Sequence, residues 1–369
     1  MPTLRKLSFL LEELQPQSPG QQLLDRFLIG YPDNGTFQTP NRETTAAYVM
    51  VSGTEPDFDQ RPEEFGLAPA RTAEAAVEGA DAIVVASRKP GAVANERLVE
   101  IALAHAPEGA ACFVHGALAN SLARAKEFTG RARSRKMALL AGTPLGVTWR
   151  LPEVSVPPGT ALRRALIVVQ GTSPGAELHG LEGLLPVLEH RRGGESGVRS
   201  LRFLEGTALW RAGDKGLWSP ALLAAALSRS DTPQGDPVAD GRTQDLFGLG
   251  LVPKLAHAPR GWILEHADGL VSAILVLDGV VGDFNFAVQT SQGPVISAQL
   301  FRAPPPAEHH YSRLAALIDR FFTTRHAPWS IERNWLVAGL LERMAQPATR
   351  TGRPVATPSL RIAYGAGSV

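Results

Sequence analysis

The chain of 369 residues has a single cysteine, Cys112, which excludes an intrachain disulfide and suits a reducing compartment. Cys112 lies in an apolar run and reads as a buried, inert thiol. An excess of charge is equally missing. Lys and Arg total 37 against 36 Asp and Glu, leaving a net charge of +1, and the arginines form no run interleaved with aromatics. That surface offers no electrostatic footprint for nucleic acid, so no nucleic-acid partner is expected. Long hydrophobic runs are absent too. Nothing approaches the ~20 apolar residues that span a bilayer, and the LSFLL core of the first 17 residues is too short for a signal h-region and meets acids at once. A cytoplasmic protein without a membrane partner is expected. The nine histidines include no His-Glu-x-x-His pattern. The adjacent pair His309 and His310 cannot easily share one ion, so no metal site is expected.

The residues that are present describe a folded enzyme-like chain. Hydrophobic residues make up 44% and charged residues 20%, a globular composition. The length exceeds one ordinary core and predicts two domains. Over the first 150 residues two periods alternate. LSFLLEE (7–13), TTAAYVMVSG (44–53), DAIVVAS (81–87), ACFVHG (111–116) and MALLAG (137–142) read as strands. PGQQLLDRFLIGY, TAEAAVEG, NERLVEIALAHA and SLARAKEFTGRAR read as helices between them. This is βαβ grammar, and it predicts a Rossmann-like, doubly wound parallel sheet. After the proline-rich LPEVSVPPGT the pattern changes. GWILEHADG, LVSAILVLDG, GDFNFAVQT and PVISAQLFR, joined by Asp-Gly, Val-Gly and Gln-Gly turns, predict an antiparallel meander over 260–302. The expected fold is α/β plus α+β: a parallel-sheet domain over 1–150, then a domain over 151–369 built on a predominantly antiparallel sheet with closing helices. The alternating apolar face of LVSAILVLDG suggests a homodimer formed through that sheet.

CFVHGALANSLARAKEF, with DAIVVAS before it, LLAGTPLG after it, EGLLPVLEHRRGGESGV in the middle and IERNWLVAGLLERM near the end, resembles the glucose-fructose oxidoreductase and inositol dehydrogenase (Gfo/Idh/MocA) family. The resemblance runs over essentially the whole chain. It implies a nicotinamide cofactor, NAD or NADP, and a small sugar, polyol or related carbonyl or carbinol substrate changed by proton or hydride transfer.

Several family elements are altered. A Gly-x-Gly-x-x-Gly turn should follow the first strand, but LQPQSPG stands there with only Gly20 and two prolines, so weak or absent dinucleotide binding is expected. Cofactor-side positions implied by the resemblance are Ser52, Ser87 and Gly116. The family Glu-Lys-Pro motif maps onto His115, Gly116 and Ala117, which replaces the catalytic lysine by glycine. His115 is either a substitute base or a strand-end hydrogen-bonding group. The family aspartate and histidine on the first helix of the second domain correspond to Gly175 and His179. Glu182 lies one turn after His179 on the same face, so the two form either an acid/base unit or a structural pair. Lys89, Glu177 and Glu195 are candidates for substrate contact, although the Arg191-Arg192-Gly193 segment around Glu195 also reads as a helix C-cap. Two further readings stay open: a non-catalytic binding or scaffold protein, and a cofactor-free lyase or epimerase.

Overall fold

A computed structural model describes residues 5–51, 60–88, 93–171, 175–232, 238–239, 242–243 and 247–367. The chain divides into two compact units. The first contains residues 1–147, 303–339 and 367–369, and the second contains 148–302 and 340–366.

The first unit is built on six strands: β1 (Arg5–Leu11), β2 (Arg42–Val49), β3 (Ala68–Pro69), β4 (Ala82–Ala86), β5 (Ala111–His115) and β6 (Ala138–Gly142). Their order is β3-β2-β1-β4-β5-β6, and every neighbouring pair is parallel. Strands β4 and β5 are buried at every position, as uninterrupted apolar sequence requires when helices cover both faces. On one face Leu98, Val99, Leu103 and Phe128, from helices Val93–His105 and Leu122–Ser134, pack on Ile83, Val85 and Val114. Cys112 lies in this core, and burial pushes its thiol up to about 12, which leaves it unreactive.

On the other face, helix Pro19–Ile29 is joined by helix His310–Thr324, whose Leu314, Ile318, Phe321 and Phe322 pack with Leu7, Phe9 and Phe27. Residues 303–339 therefore belong to the first unit, which corrects the expected domain over 151–369. Two polar devices hold this returning segment. Arg26 donates to Ser312 Oγ at 3.0 Å, to the Gln22 carbonyl at 2.7 Å and to the Ala307 carbonyl at 2.6 Å, so its buried guanidinium is well satisfied. Asn334 acts as a surrogate peptide for the edge strand β6. Its Nδ2 donates to the Ala141 carbonyl at 2.8 Å, and its Oδ1 accepts the Ala141 N–H at 3.2 Å.

The second unit carries β7 (Arg150–Leu151), β8 (Leu162–Val169), β9 (Val198–Glu205), β10 (His257–His266), β11 (Val271–Asp278), β12 (Phe284–Thr290), β13 (Val295–Leu300) and β14 (Val355–Ala356). The order is β14-β9-β10-β11-β8-β12-β13-β7. All neighbours are antiparallel except β8 and β11, which are parallel. The sheet is thus predominantly antiparallel, but β8 is inserted between the two hairpins, so 260–302 is not a continuous meander. Helix Ala176–Leu188 lies close on one face: a Cβ on Gly180 would come 2.5 Å from Ile274, and one on Gly183 2.7 Å from Leu300. Helices Gly206–Asp214 and Pro220–Leu227 cover the other, where Leu209, Ala212 and Leu222 meet Ala273, Leu275 and Leu277.

That double cover corrects the basis for a homodimer through the sheet. The six central residues of β11 are all buried within the chain, so the apolar face of LVSAILVLDG is already occupied.

Below the sheet, Glu195 is 0% exposed. Its carboxylate accepts from Arg191 at 2.9 and 3.2 Å and from the Gly197 N–H at 2.8 Å, and His266 Nδ1 lies 2.8 Å away. Burial alone would raise its pKa, but His266 and Arg191 outweigh burial and bring it down to about 2. Glu195 therefore does not face a ligand as expected; it is the anion of a buried ion network. Its stabilising contribution is present above the usual carboxyl value of 4.5 and is lost as pH falls from there towards about 2. Glu195→Ala leaves Arg191 buried without this anion and is expected to cost about 3–5 kcal/mol in urea unfolding at neutral pH. A loss below about 1 kcal/mol would show that the network is not what holds this corner.

Candidate functional site

Strand order places the ligand crevice of the first unit. In a 3-2-1-4-5-6 sheet the connections diverge between β1 and β4, and ligands of such sheets bind beyond the carboxyl ends of those strands. Here Leu11 of β1 is in register with Ala86 of β4, and the Glu12 N–H donates to the Ala86 carbonyl at 3.0 Å. The mouth is therefore formed by Glu12, Glu13, Ser87 and Arg88. Glu12 accepts the Arg88 N–H at 3.2 Å, and Glu13 pairs with the Arg88 guanidinium at 3.7 Å.

The helix that follows β1 is closed on itself. Pro19 opens it and has no N–H. The Gln21 N–H is taken by Ser18 Oγ at 3.2 Å and the Gln22 N–H by the Ser18 carbonyl at 2.9 Å. Among the described residues, the Gly20 amide is the first-turn donor left without a partner. Gly20 itself is used for packing: a Cβ there would lie 3.1 Å from the Glu13 carbonyl and 3.2 Å from a Leu11 methyl. It serves the close helix-strand approach required of the last glycine in a dinucleotide fingerprint, while the glycines that would admit a pyrophosphate are missing. Two carboxylates and a self-capped helix do not fit a dinucleotide pyrophosphate.

At the end of β5, His115 is 3% exposed and stacks on Tyr311 with ring centroids 5.9 Å apart. Gly116 follows with φ of 98°, and its N–H donates to the Gly142 carbonyl at 2.9 Å. A lysine at this position would be strained, so the backbone here favours glycine. Ser87 is buried immediately beyond β4. Ser52 and Lys89 lie outside the described residues.

The second unit brings a different set together. His179 sits in the first turns of helix Ala176–Leu188, its N–H bonded to the Gly175 carbonyl at 3.0 Å. Its half-buried ring meets Phe284 edge-on at 5.6 Å, and its buried Nδ1 has no hydrogen-bond partner among the described residues. Burial, with the Arg302 cation second, lowers its pKa to about 4, so the imidazole is neutral at pH 7. Glu182 is buried one turn on, and the orphaned Nδ1 rules it out as that nitrogen's orienting carboxylate. Glu177 is tied to Arg260 at 3.0 Å; burial would raise its pKa, but the Arg260 bond prevails and lowers it.

Sequence reasoning missed Phe284, Phe286, Arg150 and Arg302. Arg302 lies over the Phe284 ring with its guanidinium carbon 5.6 Å from the centroid, and Arg150 lies over Phe286 at 5.6 Å. The signal was present in FNF, whose two phenylalanines share one face of a strand.

No family model and no curated protein matches this sequence. Solved structures do match its fold. GenD2 from gentamicin A biosynthesis, in complex with NAD, is 14% identical with a TM-score of 0.62, covering 97% of each chain. Myo-inositol dehydrogenase from Lactobacillus casei, in complex with NAD(H) and myo-inositol, is 13% identical with a TM-score of 0.58, covering 96% of this chain and 97% of that one. Biliverdin reductase from a Synechocystis species, in complex with biliverdin and NADP+, is 11% identical with a TM-score of 0.53, covering 93% and 99%. The chain has the fold of the Gfo/Idh/MocA-type oxidoreductases.

The depressed pKa of His179 sets a pH dependence. The unfolded chain binds a proton at this histidine near pH 6.5 and the folded chain only near 4, so stability is lost as pH falls through that window. The loss from His179 is at most about 3 kcal/mol, less in proportion to the solvent reaching the ring. His179→Asn is expected to flatten the stability profile between these pH values in chemical unfolding; an unchanged slope would mean that the imidazole is solvated and ordinary.

Proposed function

We propose that this oxidoreductase-fold protein acts on a small sugar, polyol or related carbonyl compound by proton transfer at His179, with nicotinamide dinucleotide bound weakly. The supporting observation is the neutral imidazole of His179, held against Phe284 beside the Arg302 cation. A neutral imidazole accepts a proton throughout the physiological range. In an α-hydroxy carbonyl substrate the C–H bond breaks, the proton passes to the imidazole, and the electron pair moves into the carbonyl to give an enediolate. The imidazolium then returns the proton to the neighbouring carbon while the hydroxyl proton passes from one oxygen to the other, which completes an isomerisation without redox change. The nearby guanidinium favours the oxyanion while it exists. No step passes through a dinucleotide, because the residues after β1 do not fit its pyrophosphate.

A second reading, a non-catalytic binding protein, is favoured by one observation: Gly116, at φ 98°, replaces the family lysine and cannot readily be reversed.

Deuterium wash-in from solvent into a panel of ketoses and inososes separates the two. The native chain is expected to exchange the α-hydrogen of at least one of them, and His179→Asn to slow that exchange ~100-fold or more with its melting temperature at pH 7 nearly unchanged. Full exchange in the variant would remove His179 from the chemistry. Calorimetric titration with NAD and NADP is expected to give no low-micromolar binding; such binding by either would restore the hydride route.

A further inference from the structure

The second sheet has a corner that its own helices cover only in part. Helix Ala176–Leu188 takes one face, and helices Gly206–Asp214 and Pro220–Leu227 pack on Leu166, Ala273 and Leu275 of the other. At the end of that second face Arg164, Val271 and Arg202 stay half-buried. Strand register sets the floor there. Ser200, Glu265, Val271 and Arg164 are cross-strand partners in one row over β9, β10, β11 and β8. Arg202 and Ile263 pair in the next row, and side chains two apart on a strand share a face. The turn after helix Gly206–Asp214 closes one side, where Arg164 donates to the Gly216 carbonyl at 2.6 Å and Leu217 lines the hollow. The cavity so formed measures about 190 Å³. A cavity of ~150 Å³ holds benzene, so this one admits a six-membered ring or a short acyl chain with one small substituent. It is too small for a nucleotide, whose pockets start near ~300 Å³.

The lining divides by chemistry. Leu217, Ile263 and Val271 are apolar, and the charged members are Arg164, Arg202 and Glu265. Arg164 has committed a nitrogen to Gly216. Glu265 accepts from Ser200 Oγ at 2.9 Å and pairs with Arg199 at 3.3 Å. Arg202 makes no hydrogen bond or ion pair among the described residues. Its fork therefore meets an apolar hollow, where a planar guanidinium matches the two oxygens of a carboxylate and water screens the pair less than in open solvent.

We propose that this corner binds a small carboxylate with an apolar body, its oxygens on Arg202 and its ring or chain against Leu217, Ile263 and Val271. The site shares no residue with the His179 reading and stands on the other face of the sheet, so neither depends on the other.

The test titrates the full chain at fixed ionic strength and follows ligand signals by NMR. Benzoate and benzyl alcohol share a ring and differ in charge; hexanoate replaces the ring by a chain. Saturable binding of benzoate or hexanoate is expected, at least ~10-fold tighter than that of benzyl alcohol. Arg202→Gln is expected to remove this preference with its melting temperature nearly unchanged. Arg163→Gln deletes the same charge from the opposite side of β8 and is expected to keep the preference. Val271→Phe fills the floor and is expected to weaken carboxylate binding ~10-fold or more while Arg202 remains. Absence of saturable binding of either carboxylate, equal binding of benzoate and benzyl alcohol, or an Arg202→Gln variant with undiminished preference would overturn the proposal. So would equal losses in Arg163→Gln and Arg202→Gln, unchanged binding in Val271→Phe, or inorganic phosphate binding as tightly as benzoate, since each would show attraction to net charge and not a site in this cavity.

Discussion

The Ser18 residue that closes the helix after β1 constrains what the first unit can do. Its hydroxyl consumes the Gln21 amide of the first turn, and Pro19 removes another. A Rossmann-type sheet owes its affinity for dinucleotides to those amides and to the dipole behind them, aimed at a pyrophosphate. Here the Gln21 amide is bonded within the chain and Pro19 has none, and Glu12 and Glu13 stand at the same mouth. The fold's order of strands is retained and its anion cradle is not. Gly20 shows that the two requirements are separable: helix-strand packing kept its glycine while pyrophosphate approach lost its own.

This constraint moves attention to the second unit, where electrostatics are arranged in two opposite ways. Around Glu195 every charge is answered inside the chain: Arg191 binds the carboxylate on one side, His266 on another, and Ser272 lies 2.8 Å from the far nitrogen of His266. Such a network is expensive to break and offers nothing to a ligand. Around His179 the imidazole is neutral, its Nδ1 has no partner among the described residues, and the neighbouring cation is stacked on Phe284. Buried polar groups left unpaired in a native fold call for an explanation, and a ligand is one. The contrast between these two histidines, rather than either alone, separates a structural corner from a candidate site.

Local grammar was legible in the sequence wherever one element decides its own form. Alternating apolar runs and helical stretches gave the parallel sheet, and Thr72, Ser18 and Ser121 cap the helices that follow them. Asp-Gly and Gln-Gly turns gave the hairpins β10-β11 and β12-β13. Long-range choices were not legible. Nothing in RRALIVVQG says that β8 enters between those hairpins, and nothing in YSRLAALIDRFF says that its apolar face belongs to the first unit. An apolar stripe specifies that it must be covered, not by what. The same limit misled the expectation for LVSAILVLDG, because helices Gly206–Asp214 and Pro220–Leu227 had no sequence mark tying them to that face. For the candidate site, His179 was singled out by its place in the pattern that the family resemblance implies. Glu195 was misjudged because a carboxylate near Gly residues looks alike in sequence whether it is solvated or fully enclosed.

The backbone at Gly116 bears on how such a fold could lose one chemistry and keep another. In the family a lysine extends from this position; here φ is 98° and the N–H is bonded to the Gly142 carbonyl, so the strand end has settled into a conformation open to glycine. Restoring lysine would strain this turn and would still meet a cofactor turn capped by Ser18 and lined by Glu12 and Glu13. Neither change is useful without the other, because a proton-relay lysine acts beside a bound nicotinamide. On the proposed reading the two departures reinforce each other. The proposed proton transfer at His179 has no such dependence: the imidazole, Phe284 and the stacked arginines all lie in the second unit.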